Sequence, residues 1–309
     1  MDVTFDGAPA LPSWLEAAMP FERRMAHVEG QRIHFVDHGS GPAVLLLHGN
    51  PTWSYVWRKV IARLEGHVRV IAPDLLGFGL SDKPLRVREH SLDRHVRLMG
   101  KLVDALELPD ITLVGQDWGG PVAAGVGARS RTRVHGLVFA NTAVLRPKRP
   151  FRTKAFHRLA RVPLASDVLF RLGNFPIPFL DYVQGDRSTI GTQEKRAYRW
   201  PFERVRDRAG PLALARMVPN AETHPSTPTI DEVGAWVEGF MGPSALVWGT
   251  RDPILGRALT RHIELLPDAK VYESNAGHFL QEEVPDLVTG AIRGVLDAPS
   301  ASAKSAVNS

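Results

Sequence analysis

The stretch Ile111-Thr112-Leu113-Val114-Gly115-Gln116-Asp117-Trp118-Gly119-Gly120 decides how this chain is read. Residues 111–114 are a short β-branched apolar run, as in a strand buried on both faces. The small and apolar residues after Gly119 read as a helix. Between the two, a glycine-flanked turn lifts one side chain, Asp117, above the end of the strand. Strand, Gly-x-nucleophile-x-Gly, helix is a nucleophile elbow, and glycines flank it because a Cβ there would strike the neighbouring backbone. An aspartate in place of a serine changes the chemistry. A serine needs a base to take its proton, whereas a carboxylate with an ordinary pKa of about 3.9 is ionised at neutral pH. Carboxylates displace good leaving groups from saturated carbon, so the expected substrate is an alkyl compound, not a peptide or simple ester.

Outward from the elbow, strand and helix patterns alternate. Strands are expected at 23–28 and 32–37, joined by the turn Glu29-Gly30-Gln31, and at 43–47, 68–72, 134–140, 245–248 and 270–273. Helices are expected at 54–64, 257–265 and 285–296. Another is expected at 91–106, with Leu92, Val96, Met99, Leu102, Val103 and Leu106 on one face. This alternation implies a mostly parallel sheet with helices on both faces, and with the elbow it implies an α/β-hydrolase fold. Residues 145–216, rich in Arg, Pro and Phe, interrupt the pattern and read as an inserted helical cap. The core is then 1–144 and 217–297, with a disordered Ser/Ala-rich tail at 298–309.

Composition narrows the class. The chain has 309 residues, 44% of them hydrophobic, enough for a sizeable core. No apolar run is long enough to span a membrane and residues 1–19 do not read as a signal peptide, so a cytoplasmic protein is expected. Zero cysteines exclude disulfides, thiolate metal sites and a cysteine nucleophile. The net charge of +5 is uneven: residues 145–216 hold 13 Arg and 3 Lys against 6 acidic residues, a local +10. The arginines are dispersed and carry no nucleic-acid motif, so they read as a solvated face, with neither nucleic acid nor membrane as partner. A basic cap on an acidic remainder also suggests homo-oligomers whose association is sensitive to salt.

A carboxylate nucleophile forms an ester that water must cleave, which requires a base and an acid to orient it. Of the 12 histidines, His278 in Asn275-Ala276-Gly277-His278-Phe279 lies just beyond the last expected strand, where this fold keeps its base. Asp252, after strand 245–248, fits the order nucleophile, acid, histidine, although an aspartate before a proline also suits a turn. A rival acid position after strand 134–140 holds Asn141, which carries no charge and suits a strand-end hydrogen bond. In His48-Gly49-Asn50-Pro51, the loop after strand 43–47, a backbone N–H would join that of Trp118 as an oxyanion hole. His48 reads as structural. The Asn50 amide and the Trp118 indole are uncharged donors that can bind a departing anion without neutralising the nucleophile. Pro51 and Phe279 are expected beside the substrate pocket. Asp74-Leu75-Leu76-Gly77-Phe78-Gly79-Leu80-Ser81 lacks the order of a nucleotide loop, and no metal motif is present.

With these residues in place, the sequence resembles the haloalkane dehalogenases over roughly residues 21–296. The resemblance rests on His48-Gly49-Asn50-Pro51-Thr52-Trp53-Ser54-Tyr55, on residues 74–82, on Gln116-Asp117-Trp118-Gly119-Gly120 and on Gly277-His278-Phe279. It implies Asp117 as nucleophile, His278 as base, Asp252 as acid, and Asn50 with Trp118 as the halide-stabilising pair. It also implies a small haloalkane and water as reactants, an alcohol, halide and proton as products, and no cofactor. An acid after the later strand, with Asn50 and Trp118, is similar to the family's third subfamily. The first subfamily uses a second Trp from the cap, for which Trp200 is the candidate; the second has Glu where this chain has Asn141. The alternatives are an epoxide hydrolase, whose alkoxide leaving group needs a proton from cap tyrosines (Tyr182 and Tyr198), and, more remotely, a cofactor-independent oxygenase or a non-catalytic receptor.

Overall fold

The apolar runs pair as their patterns require. The computed structural model describes residues 3–148 and 155–299. Among these, β1 (Thr4–Gly7), β2 (Arg23–Val28), β3 (Gln31–Gly39), β4 (Ala43–Leu47), β5 (Arg69–Pro73), β6 (Asp110–Asp117), β7 (Arg133–Thr142), β8 (Ser244–Gly249) and β9 (Lys270–Ser274) form one sheet. Its order is β1-β2-β3-β5-β4-β6-β7-β8-β9. The pairs from β1 to β5 through β2 and β3 are antiparallel, and those from β5 to β9 are parallel. This is the α/β-hydrolase fold. The β2–β3 hairpin turns on Glu29 and Gly30, both at positive φ (50° and 73°), the signature of a type I′ turn.

The position of the functional site follows from the strand order. From β4 the chain crosses to β5 on one side, then returns to β6 on the other. The loops leaving the carboxyl ends of β4 and β6 therefore diverge and open a crevice, the usual ligand position in a parallel sheet. Leu47 at the end of β4 pairs with Gly115, two residues before Asp117. Both strands are buried along their middles.

Helices cover both faces. Leu92–Ala105 begins at Ser91, whose Oγ accepts the Arg94 N–H at 3.1 Å, and Leu92, Val96, Met99, Leu102 and Val103 are fully buried. It packs on Gly119–Arg129, which packs in turn on Thr227–Glu238; Arg58–Leu64 and Pro285–Leu296 pack together elsewhere. Gly119–Arg129 lies very close to the sheet. An ideal Cβ on Gly119 would sit 2.0 Å from the Leu47 carbonyl oxygen. Between β7 and β8 lies a series of short helical pieces, including Ala155–Leu159, Asp167–Leu172, Ile177–Val183, Thr192–Arg199 and Ala209–Met217.

Some expectations shift. The helix expected at 54–64 opens with the 3₁₀ turn Ser54–Trp57 before becoming α-helical at Arg58–Leu64. The strand expected at 68–72 runs Arg69–Pro73. Strand β1 has no counterpart in the sequence reading: four residues, partly acidic, give no alternation to detect, and the strand exists because Phe5 packs edge-on against Phe35. Of the tail expected at 298–309, residues 300–309 lie outside the described residues, as do 149–154 of the insertion.

Gly119→Ala is expected to cost about 3 kcal/mol, because the added methyl can only displace main chain. Gly290→Ala, on the open side of Pro285–Leu296 with nothing near the added carbon, should instead stabilise by up to about 1 kcal/mol. Chemical denaturation of the two variants beside the parent checks both signs.

Candidate active site

Asp117 sits at the end of β6 with φ +50°, a left-handed conformation uncommon outside glycine and asparagine. The strain swings its side chain out of the strand, and Gly49 makes way: a Cβ there would lie 2.3 Å from the Asp117 Cβ. The Asp117 Oδ1 accepts the Asn50 backbone N–H at 2.8 Å, and the Trp118 backbone N–H also bonds this carboxylate. The other oxygen, Oδ2, is 3.7 Å from His278 Nε2. Burial raises the Asp117 carboxyl above its ordinary range, against the pull of His278 and of the two backbone N–H groups.

The other two residues expected to act with Asp117 meet it here. His278 Nδ1 is 2.9 Å from Asp252 Oδ2, so the ring donates its Nδ1–H to that carboxylate and turns Nε2 toward Asp117. The other Asp252 oxygen accepts the Ile254 N–H at 2.7 Å, which fixes the carboxylate in its turn. Both side chains are almost wholly buried.

Residues to which the sequence reading gave no catalytic role hold these loops in register, among them Asn141, expected there only to make a strand-end hydrogen bond. Asn141 donates from Nδ2 to the carbonyls of Gly277 (2.7 Å) and His278 (3.1 Å), while its Oδ1 accepts the Gly249 N–H at 2.9 Å. It therefore ties the loop of the acid to the loop of the histidine. Gln116 lies beneath the ring, with Nε2 3.3 Å from His278 Nε2 and 3.2 Å from the His278 carbonyl. Gln184, from the insertion, pairs with both main-chain groups of Phe279. Glu283 accepts N–H groups from Gly185, Asp186 and Gly277. In the sequence Gln184 and Glu283 are an isolated amide and acid with no spacing signal. His48 is buried and kept neutral by desolvation; its Nε2 accepts the Leu75 N–H at 2.9 Å, tying the loop after β4 to the loop after β5.

Above the carboxylate lies a cavity of about 520 Å³, lined on the core side by Asn50, Asp117, Trp118 and His278. The insertion supplies its far wall, including Phe156, Phe170, Phe175, Phe179 and Tyr182. Asn50 Nδ2 donates to the Pro211 carbonyl at 3.1 Å, using one of its two N–H groups. Pro51 and Phe279 do not line this cavity, contrary to expectation. Phe279 is buried and packs its ring edge-on against His278, with centroids 4.8 Å apart, so it braces the imidazole. Pro51 is buried in the turn that carries Asn50. Trp200 is also absent from the lining and packs on Trp53. The glycine-rich loop at 74–81 folds around its own carboxylate: Asp74 accepts N–H groups from Ser54 (2.7 Å) and Leu80 (2.9 Å). Burial alone would raise the Asp74 pKa, but His34 at 2.7 Å, His48 and the Ser54 N–H together outweigh it and hold the group at about 2.

Comparison with known proteins places this geometry. The alpha/beta hydrolase fold family model matches residues 42–285. The chain is 34% identical over 278 residues to haloalkane dehalogenase 2 of Mycobacterium bovis, covering 88% of this chain and 94% of that one. It is 36% identical over 256 residues to haloalkane dehalogenase 1 of the same organism, covering 78% and 79%. Among solved structures, a mutant of haloalkane dehalogenase DatA from Agrobacterium tumefaciens C58 superposes with a TM-score of 0.79 at 27% identity, over 96% of this chain and 97% of that one. Haloalkane dehalogenase DbeA from Bradyrhizobium elkani USDA94 gives 0.77 at 26% identity, over 96% and 100%.

The raised pKa of Asp117 has a consequence for stability. An acid whose folded-state pKa lies above its unfolded value binds protons more readily when folded, so folding is favoured at low pH and loses that contribution as pH rises through the folded pKa. At neutral pH the buried charge is a net cost. Asp117→Asn should therefore melt higher than the parent at neutral pH, with the gap closing as pH falls toward the ordinary 3.8. Thermal melts of both proteins across that range test this; a variant that melts lower than the parent at every pH would contradict it.

Proposed function

The chain belongs to the haloalkane dehalogenases, enzymes that hydrolyse carbon–halogen bonds, and within that family we propose Asp117 as nucleophile, His278 as general base and Asp252 as the orienting acid. Asn50 and Trp118 receive the halide. One observation carries this assignment: Asp117 has one oxygen fixed by the Asn50 backbone N–H and the other directed to the His278–Asp252 pair at the floor of an apolar cavity.

In the first step Asp117 Oδ2 attacks the halogen-bearing carbon from behind. The carbon–halogen bond breaks, its electron pair leaves with the halide, and the Asn50 amide and Trp118 indole hydrogen-bond the anion. In the second step His278 Nε2 takes a proton from water as the water oxygen attacks Asp117 Cγ. Negative charge collects on Oδ1, which already accepts the Asn50 N–H, with the Trp118 N–H as the second donor to this carboxylate, and Asp252 steadies the imidazolium. Collapse expels the alcohol, which takes the proton from His278. The sum is haloalkane plus water to alcohol, halide and a proton, and it balances without a cofactor.

Residues 145–216 act as the cap, and Asn50, rather than Trp200, is the second halide donor, the arrangement of the third subfamily. Epoxide opening is the weaker reading. Tyr198 is buried and donates its hydroxyl to Glu282 at 2.5 Å, which leaves Tyr182 as the cap tyrosine in the cavity wall. No described helix is long and apolar enough to cross a membrane.

His278→Phe should trap the alkyl-enzyme ester, since attack needs no base and hydrolysis does. Intact mass after incubation with bromobutane should rise by one butyl group, and an unmodified variant would remove His278 from the role of base. Asp117→Ala should release no bromide at all. Asn50→Ala should slow bromide release by roughly 10²-fold, the usual loss when one anion-stabilising donor is removed. Diol formation from styrene oxide without bromide release would transfer the site to epoxide chemistry.

A further inference from the structure

Beneath the His278 ring lies a polar contact that the proposed steps do not use. Gln116, wholly buried on β6, directly precedes Asp117. Its Nε2 lies 3.2 Å from the His278 carbonyl oxygen and 3.3 Å from the ring Nε2. A carbonyl oxygen only accepts, so this end of the amide is the nitrogen, and its second hydrogen is left for the ring. On the ring, Nδ1 donates to Asp252 Oδ2 at 2.9 Å, so a neutral imidazole turns the lone pair of Nε2 outward. Donor therefore meets acceptor. The 3.7 Å between Nε2 and Asp117 Oδ2 is too long for a hydrogen bond, which agrees with a bare nitrogen there.

The amide holds this orientation at a cost. Gln116 Oε1 is buried and has no hydrogen-bond partner among the described residues. Buried acceptors are rarely left so. Turning the amide over would not mend matters, because its oxygen would then face the His278 carbonyl. The side chain is oriented for its nitrogen.

The surroundings of the ring explain what that nitrogen is for. Asp252 lies behind Nδ1, Asp117 lies before Nε2, and Glu283 accepts the N–H of the neighbouring Gly277. His157 and Tyr182 stand in the wall of the cavity, and the contacts of the insertion with this loop, Val183 and Gln184, are uncharged. All three carboxylates favour a protonated ring, whereas a hydrogen bond donated to the lone pair favours the neutral one. A ring protonated too early could not take a proton from water and would hold Asp117 in an ion pair.

We propose that Gln116 is a positioning residue that keeps the Nε2 of His278 unprotonated, by donating a hydrogen bond to the lone pair that later takes the proton of water. The inference rests on His278 as general base. At 3.3 Å the bond is long enough to yield when water arrives. Once Nε2 carries the proton, two N–H groups face each other, which favours passing that proton to the departing alcohol.

The test is the pH dependence of ester hydrolysis. A single turnover with bromobutane, quenched rapidly and followed by intact mass between about pH 5 and 9, gives the decay of the butyl-enzyme. Esterification removes the Asp117 charge, so the fall in rate toward acid reports the His278–Asp252 pair. Gln116→Met keeps the length and removes the donor; its acid limb should move up by about half a unit to one unit, the worth of one hydrogen bond. Gln116→Glu turns an oxygen to the ring in either of its protonation states and should move the limb further the same way. Hydrolysis slowed equally at every pH, or a limb that moves down, overturns the proposal and leaves Gln116 a brace for the loop. A measurement on the parent needs no change at residue 116: the ring ¹⁵N spectrum, assigned against His278→Phe, should show Nε2 bare and hydrogen-bonded at neutral pH, and a proton on Nε2 also overturns the proposal. An ester in neither the parent nor His278→Phe would remove the base itself, whereas an ester that forms and decays with an unmoved limb removes only the role of Gln116.

Discussion

Everything in the site hangs on one strained turn. Asp117 leaves β6 with φ +50°, a conformation that costs on the order of 1 kcal/mol for a residue with a Cβ. The turn is held because its surroundings permit nothing else. Gly49 clears the space the side chain sweeps, Gly115 lets the following helix press on the strand, and Gly119 sits against the Leu47 carbonyl. Aspartate also suits the turn better than most residues, since its short carboxylate finds two backbone donors beside it. One oxygen is immobilised as a result, and the other has a single direction left to face.

The partners of that carboxylate arrive on loops, yet the loops are not loose. The histidine loop is fixed from below by Asn141 and Gln116, and from the insertion by Gln184, Glu283 and the Val183 carbonyl, which accepts the His278 N–H at 2.9 Å. The acid loop shares Asn141 with it. Distances between functional groups are therefore set largely by neutral amides bonded to backbone, which order a site without adding charge to it, together with one carboxylate, Glu283, that accepts three backbone N–H groups. The acid position that could have followed β7 is filled by the amide that braces both loops.

Legibility in the sequence followed the physics of each element. Strands such as 43–47 and helices such as 91–106 were visible because one buried face imposes a period, and the elbow because glycine-flanked turns are rare and local. The residues that meet at Asp117 could be placed by their position after particular strands. What could not be read were contacts between distant segments. Gln184 and Glu283 have no local signature, and although Asn141 could be read as a strand-end hydrogen-bonder, its partners could not, because they lie up to 137 residues away. Pro51 and Phe279 were assigned to the pocket by adjacency to Asn50 and His278. A side chain's neighbour in sequence commonly points the other way, and here Phe279 supports the ring that it was expected to flank. The insertion was seen as a composition shift, but sorting its phenylalanines into a cavity wall and an outer face needed the fold.

The placement of charge in the insertion explains how a strongly basic segment can cover the carboxylate proposed as nucleophile. The segment carries 13 arginines and 3 lysines, and none of the described ones lines the cavity. A guanidinium there would pair with Asp117, lower its pKa and hold its lone pairs in a salt bridge. The wall presented instead is mostly phenylalanine, proline and aliphatic carbon, with His157 and Tyr182 as its polar members, which leaves the anion poorly solvated at the cost in stability that its raised pKa records. The halide must still be bound, and the groups placed to bind it, an amide and an indole, are donors that attract an anion without neutralising its neighbour. Cations outside and neutral donors inside are thus two halves of one requirement: the insertion covers the carboxylate with apolar surface and must not supply the charge that would silence it.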